Sequence, residues 1–265
     1  DIIALQEIEN SRVVEDLVEN YLKGMGYNYL IVTDTEDSAI QIGFISRLEL
    51  ASISVHQILL DGHTTGRPIL EITIVTDAGT LNIFNNHWKS KLGGAEETEP
   101  ERIAAGTALK RRILELSADD PLAGVVVLGD LNENWDEYCR TGGEYVTALM
   151  PLEDAVFSNP AGPILITGST DDCEPFLKPE SIILYSPLCA DPDEPGSYVY
   201  NDTWQTIDHI LMNSVMFDSP GFEYESFRIM KDDYLLNTQG YPLKWRTDTG
   251  YGYSDHLPLI LVVKQ

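Results

Sequence analysis

Between Tyr29 and Asn85, five runs rich in β-branched and aromatic residues follow one another: Tyr29–Thr33, Ile40–Ser46, Ile53–Leu59, Ile69–Val75 and Thr80–Asn85. Turn signals such as Asp61-Gly62 and Asp77-Ala78-Gly79 separate them. Most gaps are too short for crossover helices, so the spacing predicts antiparallel hairpins. Helical periodicity lies on either side. Val13, Val14, Leu17, Val18, Tyr21, Leu22 and Met25 recur at helical intervals, closed by Gly24 and Gly26. Ile103, Leu109, Ile113 and Leu116 predict a second helix from about Pro100 to Ser117. Residues 1–6 and 124–128 read as strands and 144–150 as a short helix, with final strands expected at 206–212, 225–230 and 257–263. This order predicts an α/β (α+β) chain of sheets covered by helices, in one domain over 1–265. Residues 158–204, rich in Pro, Asp, Ser and Gly, exceed a simple connection and read as an irregular insertion. The apolar opening Asp1-Ile-Ile-Ala-Leu-Gln-Glu7, without a leading Met, suggests a natural start farther upstream.

Composition narrows the function classes. Seventeen Lys and Arg stand against 43 Asp and Glu, a net charge of −26. Apolar residues make up 43% of the chain, too many for a disordered acidic tail. No run approaches the roughly 18 apolar residues of a membrane-spanning helix. The charge argues against tight nucleic-acid binding through a basic surface. Ten of the basic residues nevertheless cluster: Lys89, Lys91, Arg102, Lys110, Arg111 and Arg112 in one segment, and Arg228, Lys231, Lys244 and Arg246 in another. The charge therefore predicts weak, salt-sensitive binding and does not exclude a polyanionic substrate. Cys139, Cys173 and Cys189 form no CxxC pair, which speaks against a zinc-thiolate site. A Cys173–Cys189 disulfide and three unrelated thiols are equally good readings of the spacing.

Polar clusters sit at the ends of the apolar strands. They are Glu7 after Leu5-Gln6, His87-Trp88-Lys89 after Asn85-Asn86, Asp130-Leu131-Asn132 after Gly129, and Asp255-His256 before the last strand. Asp208 lies inside Thr206-Ile207-Asp208-His209-Ile210. Singly, each has a bland reading as a solvated turn or a satisfied core carboxylate. Together they bring three Asp, a Glu, an Asn and two His to strand ends, where one cleft can form. Asp130 and Asn132 lie two apart and so share a side in extended geometry. Asp208 is placed to orient His256 through a carboxylate–imidazole bond. Carboxylates without Cys favour magnesium, manganese or calcium over zinc.

The ordered segments DIIALQE, NHWKSK, GDLN, TIDHIL and SDHLP resemble the endonuclease/exonuclease/phosphatase superfamily typified by deoxyribonuclease I. Longer matches around NHWKSKLGG and KWRTDTGYGYSDHLP are similar to its secreted bacterial endonuclease-like members. The resemblance implies a four-layered sandwich, two mixed β-sheets packed face to face with helices outside, and a secreted or periplasmic location. It implies Glu7 as metal ligand, His87 as the histidine of the deoxyribonuclease and sphingomyelinase branches, and Asp130 and Asn132 as the catalytic Asp and phosphate-orienting Asn. Asp208 matches the carboxylate paired with His256, and Asp255 a second metal ligand or base. Two departures stand out. Nothing matches the family's first, Asn-bearing strand. Gly66-Arg67-Pro68 lacks the Glu that supports the first histidine, leaving Glu71 as a guess for the partner of His87.

The expected chemistry is phosphodiester hydrolysis by in-line attack of water, with Mg2+ (or Mn2+ or Ca2+) held by Glu7 and Asp255. His256 and Asp130 are both candidates for the base. His87 is the candidate acid, with Lys89 and Asn132 on the phosphate. Arg47 and Arg246 are weaker substrate-binding candidates. Trp245 beside Arg246 suits stacking on a base, or plain packing. His56, His63 and His209 are set aside for want of partners or direction. The expected substrate is DNA or RNA, weakly bound by a monomer. The rival readings are a sphingomyelinase-like or other phosphoesterase, for which no clear exposed aromatic hairpin is evident, and a non-catalytic binding protein.

Overall fold

The predicted hairpins form the centre of the molecule. Ser52–His56 pairs antiparallel with Ile69–Thr76, which pairs antiparallel with Gly79–His87. The computed structural model describes residues 1–35, 38–154, 163–172, 182–217 and 221–265. These strands belong to an eight-stranded mixed sheet. It continues from Gly79–His87 through Gly124–Asp130, Asp208–Met212, Ile183–Tyr185 and Ile164–Thr167 to Leu149–Pro151.

Period-two alternation gives this sheet two apolar faces. Val125 and Val127 point with Phe84 towards the helix Ala95–Asp119 and its Leu109 and Ile113. Val126 points the other way with Ile72 and Ile83, against Ile42 and Phe44 of a second layer. That layer comprises the three-stranded sheet of Ile2–Ile8, Gln41–Ser46 and Tyr29–Val32, and the pair Glu223–Ile229 with Leu259–Lys264. Helix Ser11–Tyr21 covers it, packing Val14 on Ile8 and Ile45. Helix, sheet, sheet and helix make the expected four-layered sandwich. A cavity of about 750 Å³ separates the edges of Ile2–Ile8 and Leu259–Lys264, over Leu81, Ile83 and Val126 of the large sheet.

Three expectations fail locally. The second helix begins at Ala95, not Pro100. Its first turn is held by Thr98 Oγ1 donating to Gly94 O and by Arg102 donating to Ala95 O, with Glu96 and Glu97 favourably placed against the helix dipole. Residues 144–150 form no helix, and Leu149–Pro151 is instead an edge strand paired with Ile164–Thr167. The span 158–204 is not wholly irregular. Its described part supplies strands Ile164–Thr167 and Ile183–Tyr185 to the large sheet, and most of the hairpin Tyr198–Tyr200/Thr203–Gln205. Cys173 lies outside the described residues, and Cys139 and Cys189 are free thiols. Among the described residues no helix is long and apolar enough to cross a membrane.

One buried amide ties the two sheets at the end where the polar clusters gather. Asn85 is fully buried; its Nδ2 donates to Leu5 O at 3.0 Å and Gly43 O at 2.9 Å. Its Oδ1 accepts from Gln6 Nε2 at 2.6 Å. Asn85→Leu, similar in shape though larger and unable to donate, removes the side-chain donor from two carbonyls and is expected to cost about 2–4 kcal/mol. Urea denaturation measures this, and wild-type stability of the variant would refute the tie.

Candidate active site

Strand register builds the site. His87 pairs with Asp130 across parallel strands, and Asp130 with Asp208 across antiparallel ones. The three side chains thus stand in a row on neighbouring strands, roughly 4.8 Å apart. His87 Nε2 is 3.7 Å from Asp130 Oδ2. The row tolerates no side chain at the preceding position. Gly129 has φ +121°, and a Cβ there would sit 2.0 Å from Asn86 O. After Asp130 the chain turns through Asn132 at φ +52°. Asn132 donates its backbone N–H to Asp130 Oδ1 (2.8 Å) and its Nδ2 to Trp88 O (3.0 Å).

His256 arrives from the loop before the last strand. Its Nδ1 lies 2.8 Å from Asp208 Oδ2, which also accepts from the Oγ of fully buried Ser197 at 2.5 Å. Tyr198 stacks on the imidazole, with ring centroids 4.5 Å apart and planes 26° apart. Leu257 N donates to Ser197 O, fixing the loop from its other side. With Nδ1 engaged by Asp208, Nε2 is the nitrogen left to meet a substrate.

Burial and charge drive the three central groups apart. Burial pushes the Asp130 carboxyl up to about 7, helped by the Asp208 charge and opposed by His256. Burial would lower His256, but the hydrogen bond to Asp208 and the charges of Asp208, Asp130 and Asp255 outweigh it and raise it to about 9. Burial, with Arg67 and His256 nearby, lowers His87 to about 3. At neutral pH His256 is therefore a cation and His87 neutral, while Asp130 holds a proton far more tightly than an ordinary carboxyl.

Glu7 reaches the same place from the second sheet. A register shift between Leu5 and Ile8, with Glu7 at φ +56°, turns its carboxylate out of the strand to within 3.9 Å of His87 Nε2. Asp255 faces Lys244, whose Nζ donates to it at 2.6 Å and holds its carboxyl below the ordinary value against the opposing effect of burial. Glu7 and Asp255 are thus not the tightest ligand set. Single ligand atoms of Asp130, Asp208 and His256 lie within 4.8 Å of one another. Carboxylates with Glu7 exposed at the mouth and no thiol fit a hard divalent cation.

The remaining expected site residues have partners of their own, and Arg47 lies away from the site. Arg47 sits past Ser46, which pairs with Ile2, at the end of the antiparallel pair opposite Glu7. That is roughly 16 Å along the strand, and Arg47 there meets Asp1 and lies over the Tyr27 ring. Arg246 is exposed and paired with Asp248. Lys89 Nζ is 3.9 Å from Glu101. Glu71 does not support His87; it is buried between His56 (2.5 Å) and Arg112 (2.8 Å), so His56 has a partner after all. His209 Nε2 meets Glu133 O, away from the site.

Arg67 was missed as a site residue. Its guanidinium donates to Trp88 O at 2.7 Å, the carbonyl that also holds Asn132. Burial lowers its pKa, and Asp130, Glu7 and Glu101 partly restore it, which puts a cation beside the acidic row. Ser197, Tyr198 and Lys244 were likewise missed. The sequence named Arg67 only within Gly66-Arg67-Pro68, the segment that lacks the family's supporting Glu.

Residues 1–147 match the sequence model of the endonuclease/exonuclease/phosphatase family. No curated protein matches the chain in sequence. Among solved structures, D. rerio TDP2 complexed with single strand DNA product shares 14% identity at TM-score 0.58, covering 100% of this chain and 86% of that one. The human Nocturnin catalytic domain with bound sulfate shares 15% at 0.59, covering 100% and 80%. ANGEL2, a 2',3'-cyclic phosphatase, in complex with adenosine-2',3'-vanadate, shares 14% at 0.61, covering 98% and 81%. At these identities the likeness is one of fold.

The His256–Asp208 pair predicts a pH signature. A histidine raised from 6.5 to about 9 contributes stability that is complete below 6.5 and lost as pH rises to about 9. Asp130, raised from 3.8 to about 7, acts in a lower window. Wild type should therefore lose on the order of 2 kcal/mol more than Asp208→Asn between pH 6.5 and 9. Urea titrations at the two pH values measure it, and parallel losses would contradict the pairing.

Proposed function

The chain belongs to the endonuclease/exonuclease/phosphatase family, and from that membership we propose that it is a divalent-metal-dependent phosphodiesterase acting on nucleic acid. The observation that carries this reading is the row His87–Asp130–Asp208 with His256 attached, which brings two histidines and two carboxylates to one place. The ligands of two fold neighbours support the substrate class, since one binds a single-strand DNA product and the other an adenosine vanadate.

Asp130, with its carboxyl near 7, serves as the base that takes a proton from the attacking water. The water oxygen bonds to phosphorus as the P–O bond to the leaving group breaks. The His256 imidazolium, held through Nδ1 by Asp208, gives its Nε2 proton to the leaving oxygen. His87 is a poor starting acid at about 3. Its part in this scheme is a neutral hydrogen-bonding group on the phosphate, a different assignment from the proton donor the sequence suggested. Asn132 and Arg67, both anchored on Trp88 O, face the phosphate as donor and cation. Glu7, exposed at the mouth beside the row, would hold Mg2+ or Mn2+, which supplies charge neutralisation at a non-bridging oxygen.

His256→Ala should lower kcat for a plasmid or oligonucleotide roughly 10²–10⁴-fold, and EDTA should abolish turnover until Mg2+ or Mn2+ is restored. Near-wild-type hydrolysis by the variant, or full activity in EDTA, would overturn the proposal.

A further inference from the structure

The loop joining Glu223–Ile229 to Leu259–Lys264 carries an aromatic surface that the proposed chemistry leaves unused. The exposed aromatic side chains among the described residues are Tyr21, Tyr200, Tyr234, Trp245, Tyr251 and Tyr253, and four of these six fall between 234 and 253. The segment is folded back on itself. Tyr253 N donates to Leu243 O and Arg246 N to Tyr251 O, and isolated bridges pair Lys244 with Tyr253 and Arg246 with Tyr251. Tyr234 and Tyr253 meet edge to face with centroids 5.8 Å apart. The tongue is fastened to the site, because Lys244 Nζ donates to Asp255, the residue before His256.

Four rings, each at least half exposed on a tongue tied beside His256 through Lys244 and Asp255, present apolar faces that such a surface does not normally collect. What covers them follows from their chemistry. No aliphatic side chain of the tongue is strongly exposed, and charged Asp232, Asp233, Lys244, Arg246 and Asp248 are interleaved with the rings, a mixture poorly suited to a bilayer. Lys244 and Arg246 are already neutralised by Asp255 and Asp248, and the chain carries −26. Phosphate attraction here is weak, so a polyanion needs another source of grip. Base stacking on aromatic rings supplies it without regard to sequence. We propose that this tongue is a stacking platform for unpaired bases of single-stranded nucleic acid whose phosphodiester lies in the site. The platform disfavours duplex, whose base faces are already stacked. The inference rests on the phosphodiesterase reading, and its binding test is independent of turnover.

The test uses the full chain in EDTA and the anisotropy of labelled oligothymidylate, an abasic oligomer of equal length, and a duplex. Trp245→Ala/Tyr251→Ala should weaken oligothymidylate binding about 10- to 100-fold. Trp245→Phe/Tyr251→Phe should restore most of it, and abasic binding should be weak and alike in all forms. Hydrolysis of bis(p-nitrophenyl) phosphate with manganese, a substrate without bases, should be unchanged in the variants. Equal binding of abasic and base-bearing strands by wild type, duplex binding as tight as that of oligothymidylate, or undiminished binding by the alanine variant would each overturn the platform. Failure of wild type to hydrolyse the base-free diester would instead overturn the phosphodiesterase reading.

Discussion

Everything at the cleft depends on the register of three strands. Because side chains alternate along a strand, a slip of one residue between Gly79–His87, Gly124–Asp130 and Asp208–Met212 would send alternate members of the row to the opposite face. The apolar residues below resist that slip. Val125 and Val127 face one core and Val126 the other. Moving them would expose two cores at once, at roughly 25 cal/mol per Å² of apolar surface. Hydrophobic packing, far from the chemistry, thus holds His87, Asp130 and Asp208 together. Asn85 extends the constraint to the second sheet and brings Glu7 into range.

The electrostatics follow from placing several ionisable groups in a partly buried row. Desolvation acts against charge on each of them. The outcome differs because their neighbours differ. His256 has a carboxylate bonded to Nδ1 and stays charged, whereas His87 has Arg67 and His256 nearby and stays neutral. Asp130, between His87 and Asp208 in the row, is raised chiefly by its burial, with the Asp208 charge adding to the shift and His256 opposing it. Two histidines and Asp130 thereby acquire different proton affinities at the same cleft, as acid–base chemistry requires.

Local signals were readable in the sequence, and long-range ones were not. The hairpin strands, the helix near residue 11 and the polar clusters are written in contiguous residues. Gly129-Asp130-Leu131-Asn132 carries in four letters the positive-φ glycine, the carboxylate and the turn that follows it. Arg67, Ser197 and Tyr198 left no comparable trace, because each meets the cleft through a tertiary contact with a distant segment. The strands Ile164–Thr167 and Ile183–Tyr185 are short and lie in a Pro- and Asp-rich span whose composition masks them. Arg47 was misjudged because a strand end says nothing about which end of the sheet it occupies until the register is known.

The central claim is that this register assembles one divalent-metal centre at Glu7, beside the Asp130–Asp208 row. The most direct measurement is anomalous diffraction from crystals grown with manganese. A single strong peak within coordination distance of the Glu7 carboxylate, next to the Asp130–Asp208 row, is the predicted result. A peak at another acidic patch, or none at saturating manganese, would contradict the account.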